Sequence, residues 1–387
     1  MPKAIPVLEP VEVPVARPAP PAGRKFPCPS CGARLDFDPA ARGLKCPYCH
    51  YEQKIEKGDK AEIAERDFGD YLDREESRGH AIPGRSSEVR CTGCGAAVLL
   101  EDKVETDECP FCATHLENKP EAVHAMIAPE SVLPFKLDLR AARGSFTDWI
   151  GGLWFAPTEL KTVAALGQLA GIYIPYWTYD AMTYTDYTGE RGIDTTHTQT
   201  YSDTDAHGRS VTRTRTVVHT NWYPVSGEVR HFFDDVLICA STSLPGDLID
   251  DLGNWDLKKL EPFRADYLSG FKTERYAVGL KAGYKRSKTI MKGIIDRLVR
   301  RDIGGDHQRV RSQDTTFSAV TFKPLLLPIW VAVYRYHEKT FQILVNGRSG
   351  KVTGYRPWSK WKIARLVVLI LLAIIAVIVL VSFVGEK

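Results

Sequence analysis

Hydrophobic residues recur along this chain in three rhythms. The longest is continuous: positions 366–384 are nineteen uncharged residues, nearly all Leu, Ile, Val and Ala. As a helix rising 1.5 Å per residue this run is about 28 Å long, close to the hydrocarbon thickness of a bilayer, and it predicts one transmembrane helix. A core helix of a soluble domain would carry polar residues along one side. Upstream, period-two alternation of aromatic, β-branched and Thr residues predicts strands at 173–187, 195–201 and 211–220, the last two joined as an antiparallel hairpin through Asp205-Ala206-His207-Gly208. Further strands are expected at 235–240, 322–336 and 341–345, the last running into the turn signals Asn346-Gly347 and Ser349-Gly350. Helical spacing marks 139–154, 158–169 and most clearly 275–302, where Ile290, Ile294, Ile295, Leu298 and Val299 make an apolar stripe. Ile63, Ala64, Phe68, Tyr71 and Leu72 suit one shorter amphipathic helix.

These elements describe an α+β protein. Two small four-cysteine zinc ribbons are followed by a mixed, largely antiparallel β domain with helices and by a C-terminal transmembrane helix. The expected boundaries are a disordered Pro-rich leader (1–25), ribbon one (26–54), a charged, partly helical linker (55–88), ribbon two (89–117), the α+β domain (118–357), a basic and aromatic juxtamembrane segment (358–365) and the span (366–384). Within the large domain Ile174-Pro175-Tyr176-Trp177 is echoed by Leu327-Pro328-Ile329-Trp330. The echo raises an internally duplicated sheet in which both segments enter equivalent strands, with proline at strand starts or edges.

Cysteine spacing supplies the sharpest chemistry. Eight of nine cysteines fall into one pattern used twice, C-x2-C-G-A-x12-C-P-(Tyr/Phe)-C: Cys28, Cys31, Cys46 and Cys49, then Cys91, Cys94, Cys109 and Cys112. A tetrahedral Zn²⁺ ion is well served by two short knuckles, each offering two thiolates across a tight turn. Gly32 and Gly95 directly follow the second cysteine of their knuckles, where the chain must turn sharply. Disulfides or a redox pair compete, since Cys46-Pro47-Tyr48-Cys49 alone looks like a glutaredoxin motif. That reading calls for one pair beside a βαβ pattern, not four pairs in two matching modules. The expected cofactors are therefore two structural Zn²⁺ ions, with iron in the same thiolate cage as the lesser choice.

Charge refines the placement. Arg356, Lys360, Lys362 and Arg365 crowd the N-terminal flank of the apolar run, with Trp358 and Trp361 as interfacial aromatics. By the positive-inside tendency this flank is expected in the cytoplasm, and the bulk of the protein with it. The first 25 residues carry seven prolines and no continuous apolar stretch, so no signal peptide is expected. A cytosolic body agrees with eight thiols kept reduced for metal. At 387 residues, 44% hydrophobic and a net charge of +3, the chain has material for one sizeable core besides the ribbons and no global polyanion-binding charge.

Catalytic signatures are missing from the sequence. No G-x-x-x-x-G-K-(S/T), G-x-S-x-G or H-E-x-x-H motif occurs, so an ATP-driven motor is not expected, and the remaining enzymatic reading is an unrecognised pocket in the β-rich domain. His197, His207, His219 and His231 lie in or near the Thr-rich hairpin, yet no paired-ligand spacing joins them, so they read as ordinary hydrogen-bonded histidines. Asp234 and Asp235 open a strand near Cys239, which reads as core.

Zinc ribbons often serve nucleic acid, and the charge distribution bears on that. Ten Lys or Arg against three Asp lie between Lys281 and Arg311. On the long helix Lys281, Lys285, Arg286, Lys288, Lys292, Arg297, Arg300 and Arg301 could meet an anionic surface, whether nucleic acid or lipid headgroups. Ribbon one is basic, whereas residues 89–117 carry two basic against six acidic side chains, so ribbon two repels phosphate and suits protein.

Several blocks occur in a recognisable order. After the two ribbons come Trp154-Phe155-Ala156-Pro157, 171–177 (GIYIPYW), 188–192 (TGERG), Phe233-Asp234-Asp235-Val236, 301–306 (RDIGGD) and Val345-Asn346-Gly347, then the terminal apolar helix. This order resembles the bacterial double-zinc-ribbon, C-terminally membrane-anchored proteins often labelled primosomal protein N′ (replication factor Y)-like. The label implies a helicase, but the motor motifs are missing here, so the resemblance carries no helicase activity. It does imply partners of the SPFH (flotillin-like) or phage-shock type. The sequence thus points to a non-enzymatic, membrane-anchored scaffold that binds protein partners at the cytoplasmic face. Its rival is membrane-associated, replication-related nucleic-acid binding through ribbon one and the basic helix.

Overall fold

The computed structural model describes residues 26–55, 63–75, 86–101, 106–112, 114–117, 129–157, 169–204, 208–253, 255–336 and 339–385. The Pro-rich leader, most of the 158–169 helix and the hairpin residues Asp205 and His207 lie outside the described residues. The first cysteine module is a three-stranded sheet of β1 (Asp36–Asp38), β2 (Gly43–Lys45) and β3 (Glu52–Lys54). After it come β4 (Arg66–Asp67) and α1 (Phe68–Glu75). Helix α1 is shorter than the expected one: Phe68, Tyr71 and Leu72 pack on the core, while Ile63 precedes the helix and packs elsewhere. The second module holds β5 (Ser86–Arg90), β6 (Ala97–Glu101), β7 (Thr106–Glu108) and β8 (His115–Glu117).

The body is dominated by strands far longer than the usual five or six residues. Its elements are β9 (Ser131–Val132), α2 (Leu139–Gly151), β10 (Leu169–Thr204), β11 (Ser210–Cys239), α3 (Gly246–Leu252), β12 (Glu261–Pro262), β13 (Lys272–Glu274), α4 (Leu280–Ile303), β14 (His307–Tyr336), β15 (Lys339–Asn346), β16 (Val352–Gly354) and α5 (Lys360–Gly385). Strands β10 and β14 pair antiparallel from Leu169↔Ala332 to Gly192↔His307. Strand β11 returns along the other edge of β10, from Thr204↔Ser210 to Tyr176↔Cys239, which joins the two Thr-rich segments as the hairpin expected. Among the described pairings only β13 on β10 and β9 on β14 are parallel.

The echoed Ile-Pro and Leu-Pro segments are immediate neighbours, with Ile174 directly opposite Leu327. The surroundings of each follow the same order. Ile172 and Tyr173 pair with β13, and Leu325 and Leu326 pair with β9. In each case a helix follows the short strand, α4 after β13 and α2 after β9. Tyr176 meets Cys239 at the end of β11, and Ile329 meets Asn346 at the end of β15.

Alternation along β10 and β14 sorts side chains to two faces. Tyr173, Leu326 and Trp330 point into one cluster with Leu35, Phe37, Leu44 and Cys46 of the first module. Ile172, Ile174, Leu325 and Leu327 point into another with Val98, Cys109, Phe111 and Leu116 of the second. The two cysteine modules therefore cover opposite faces of one sheet.

Helix α4 lies further along the first face, over Trp177, Tyr179 and Phe322. Its buried stripe is Gly283, Ser287, Met291, Ile295, Val299 and Ile303, every fourth residue. The stripe expected from apolar residues alone is corrected accordingly: Ile290 is exposed, and Ile294 and Leu298 lie on the flank. The helix also starts at Leu280 and not at Arg275, because the preceding residues serve the sheet. Ala277 and Val278 donate to the Ala240 carbonyl, and the Trp177 indole and Tyr179 hydroxyl donate to the carbonyls of Val278 and Leu280 at 2.8 and 2.7 Å. Beyond Asp180 the three long strands extend as an arm whose first part is still covered by α4, and past Gly192 only β10 and β11 continue. At about 3.3 Å per residue the 23 residues of β10 from Met182 to Thr204 extend roughly 75 Å.

Candidate metal centres and the apolar helix

Each cysteine quartet closes on itself. In the first, Cys28 and Cys49 sulfurs are 3.5 Å apart, as are those of Cys31 and Cys46. In the second, Cys91 lies 3.4 Å from Cys112 and Cys94 lies 3.7 Å from Cys109. Within each group all four ligand atoms lie within 4.8 Å of one another. Thiolates about 2.3 Å from a tetrahedral ion stand about 3.8 Å apart, so both cages fit a metal of that size and neither contains a disulfide.

The knuckles arise locally. Gly32 and Gly95 sit at φ 75° and 76°, the left-handed conformation that glycine adopts at no steric cost. Their amides donate to the carbonyls of Cys28 and Cys91 at 2.9 and 2.8 Å, closing equivalent turns. Cys49 and Gly93 donate backbone N–H groups toward the sulfurs of Cys46 and Cys91, the orientation that stabilises thiolate. The thiols of the first module are unequal. The Tyr51 N–H brings Cys49 down to about 6. The Ala33 N–H lowers Cys31, but hydrogen bonds with Cys46, Cys49 and Cys28 together with desolvation push it up to about 12. Four sulfurs this close cannot all ionise unaided, which is the electrostatic case for a cation at the centre.

Both modules are built into the body. Phe37 donates to the Ser269 carbonyl at 2.9 Å and Ser269 Oγ donates to the Leu35 carbonyl at 2.6 Å. Strand β6 extends the large sheet by pairing with β13, Thr273 opposite Leu99. Gln342 Nε2 donates to the Phe111 carbonyl at 2.6 Å.

The apolar helix is long and hydrophobic enough to cross a membrane over Lys360–Ile378, and none of that stretch is buried. Its flank is held by the body: Ser359 N donates to the Phe155 carbonyl at 2.7 Å and Lys362 Nζ to the Ala156 carbonyl at 2.7 Å. Arg356 stacks over Trp358, 4.7 Å from the ring centre, and Trp361, Lys360 and Arg365 are exposed.

Seven of the eight basic residues expected on the long helix are exposed: Lys281, Lys285, Arg286, Lys292, Arg297, Arg300 and Arg301. Lys288 is half-buried, its ammonium over the Tyr284 ring. Arg300 is paired with Asp296 at 2.8 Å.

A polar group that sequence reading missed sits at the root of the arm. Asp180 is buried and accepts from Asp235 N at 2.5 Å and Thr321 Oγ1 at 3.2 Å. Burial pushes its carboxyl up to about 6. Both neighbouring strands bulge here, with Asp235 and Ala319 at φ 54° and 48°. Asp180, Asp234 and Asp235 converge, but Lys323 Nζ already supplies a cation 2.8 Å from Asp235. The cluster is thus a structural ion network at the junction of body and arm. His219 and His231 lie along β11, and His197 along β10.

No family model and no solved structure match the chain. Over 346 residues it is 24% identical to Uncharacterized protein YdjG of Bacillus subtilis (strain 168), spanning 88% of this chain and 92% of that protein. The likeness to proteins labelled primosomal protein N′ therefore rests on the ordered sequence blocks alone.

Proposed function

We propose that the protein is a non-enzymatic, membrane-anchored scaffold whose two zinc ribbons present fixed protein-binding faces at the cytoplasmic side of the membrane. The observation that carries this reading is the way both cysteine modules share the body's hydrophobic clusters on opposite faces of one sheet. Closed four-thiolate sites organise structure and leave no open coordination position for chemistry. Two such sites fused to a rigid sheet make a platform with two separate recognition surfaces. The apolar helix, hydrogen-bonded to the body at Phe155 and Ala156, fixes that platform at the bilayer. Basic residues on its flank favour a cytoplasmic body. The resemblance to double-ribbon anchored proteins adds SPFH-type or phage-shock-type membrane proteins as the partners to look for.

Two variants test it: Cys46→Ser and Cys109→Ser, each expected to unlatch its own ribbon and weaken capture of a membrane-protein partner while the anchor stays in the membrane. Undiminished capture by both variants contradicts the scaffold.

The exposed basic face of α4 supports a second reading, association with nucleic acid. It predicts binding that falls steeply as salt rises, in proportion to the phosphates neutralised.

A further inference from the structure

The turn after α2 carries a tryptophan that the fold holds out into solvent. Gly152 donates to Asp148 O, Leu153 to Ile150 O and Ala156 to Leu153 O, so the backbone of the turn is tied at three points. Leu153, Ala156 and the preceding Ile150 are buried in the core. Between these anchors Trp154 is 84% exposed. An indole pinned outward by buried neighbours is not a residue that failed to pack.

What it lies beside gives the exposure a meaning. The next two residues, Phe155 and Ala156, accept hydrogen bonds from Ser359 and Lys362 at the start of the apolar helix. The Phe155 ring stands 6.3 Å from that of Trp358. Trp358 and Trp361 are themselves 56% and 87% exposed, and Arg356, Lys360 and Arg365 accompany them. The turn is therefore locked to the short segment that precedes the apolar run. At 1.5 Å per residue Ser359 lies about 10 Å along the helix from Leu366. Each interfacial layer is about 5–8 Å deep, so the turn sits just beyond its outer edge, within reach of an indole side chain.

We propose that Trp154, with Trp358 and Trp361, forms a three-tryptophan lipid-contact face through which the folded body, and not only the helix, docks on the headgroup layer of the bilayer. Tryptophan favours this zone because its large apolar ring and its N–H donor are both satisfied there. Arg356, Lys360 and Arg365 supply the cations that meet lipid phosphates. Attachment at two points separated in sequence, the turn and the helix, orients the sheet relative to the membrane, which a helix on a free tether does not do.

The inference rests on the membrane reading of the apolar helix, so the experiment separates the two. The photocrosslinking residue p-benzoylphenylalanine is placed at position 154 or at position 372 of the full chain, irradiated in native membranes, and its adducts are identified by mass spectrometry. Phospholipid adducts at both positions are expected. Lipid at 372 with only protein adducts, or none, at 154 overturns the docking face and leaves the span intact. Lipid at neither position overturns both, and lipid at 154 alone supports the surface contact while removing the span. The replaced side chain is exposed, so loss of folding does not intervene.

Discussion

Ser269 and Leu35, more than two hundred positions apart, are joined by a 2.6 Å hydrogen bond from the Ser269 hydroxyl to the Leu35 carbonyl. The Ser269 carbonyl in turn accepts from Phe37 N. Side chain and main chain of one body residue thus clamp the Leu35 carbonyl just before β1 and the Phe37 amide within it, and Phe37 packs edge-on against Tyr267 at 5.4 Å. A cysteine module held in this way has its orientation set by the sheet.

Metal content should follow the two quartets separately. The intact protein is expected to carry two zinc ions, and Cys46→Ser or Cys109→Ser one each, measured by native mass spectrometry with elemental analysis. Cys46 and Cys109 are both buried in clusters that include body residues. Chelation should therefore also lower the unfolding midpoint of the body, because metal binding and module folding are one equilibrium. Two ions retained in either variant would contradict the assignment.

Helix α4 has a position where a single methyl group decides its seating. A Cβ at Gly283 would lie 2.4 Å from Tyr179 Oη and 3.0 Å from Trp177 Cδ1. Gly283→Ala is expected to destabilise by about 1–3 kcal/mol through overpacking. Gly293→Ala, where nothing lies within 4 Å of the new carbon, is expected to stabilise by up to about 1 kcal/mol through helix propensity. Denaturant unfolding checks both, and equal effects would refute this packing.

A third expectation concerns pH. Glu274 on β13 is buried, and desolvation raises its carboxyl from 4.5 to about 7 despite lowering hydrogen bonds from Ser243 and Ser241. Between about pH 4.5 and 7 the folded protein therefore binds more protons than the unfolded chain, so this group's stabilising contribution is full below that window and is lost as pH rises through it. The loss amounts to roughly 3 kcal/mol. Glu274→Gln removes the titration, so the stability of the variant relative to the parent should grow by about 2–3 kcal/mol between pH 5 and pH 8. A pH-independent difference would remove Glu274 from the account.

Much of this was legible in the sequence because it depends on local spacing. The repeated cysteine pattern brings together eight sulfurs that the fold groups four and four, and the Thr-rich alternations are paired as expected, Thr195 opposite His219. The segment Thr188-Gly189-Glu190-Arg191-Gly192 looks like a break between strands, yet it continues β10, since both neighbouring strands satisfy its backbone. The buried α4 stripe departs from the apolar pattern because Gly283 and Ser287 are core residues by size, not by hydrophobicity. Asp180 could not be found by spacing, as its partners Asp235 and Thr321 come from two other strands. The Ile174 and Leu327 echo proved to be a direct strand contact. With the matching order of elements around it, the contact supports an internally repeated unit as a proposal.

Whether the protein is a membrane-tethered platform for protein partners is decided by what co-purifies with it. The intact, mildly solubilised protein is compared with a version ending at Trp358, and bound proteins and nucleic acids are identified in each. A tethered platform retains a membrane-protein partner that depends on the apolar helix, and no nucleic acid. Nuclease-sensitive, salt-labile nucleic acid bound equally by both versions would contradict it and favour the basic face of α4 as the working surface.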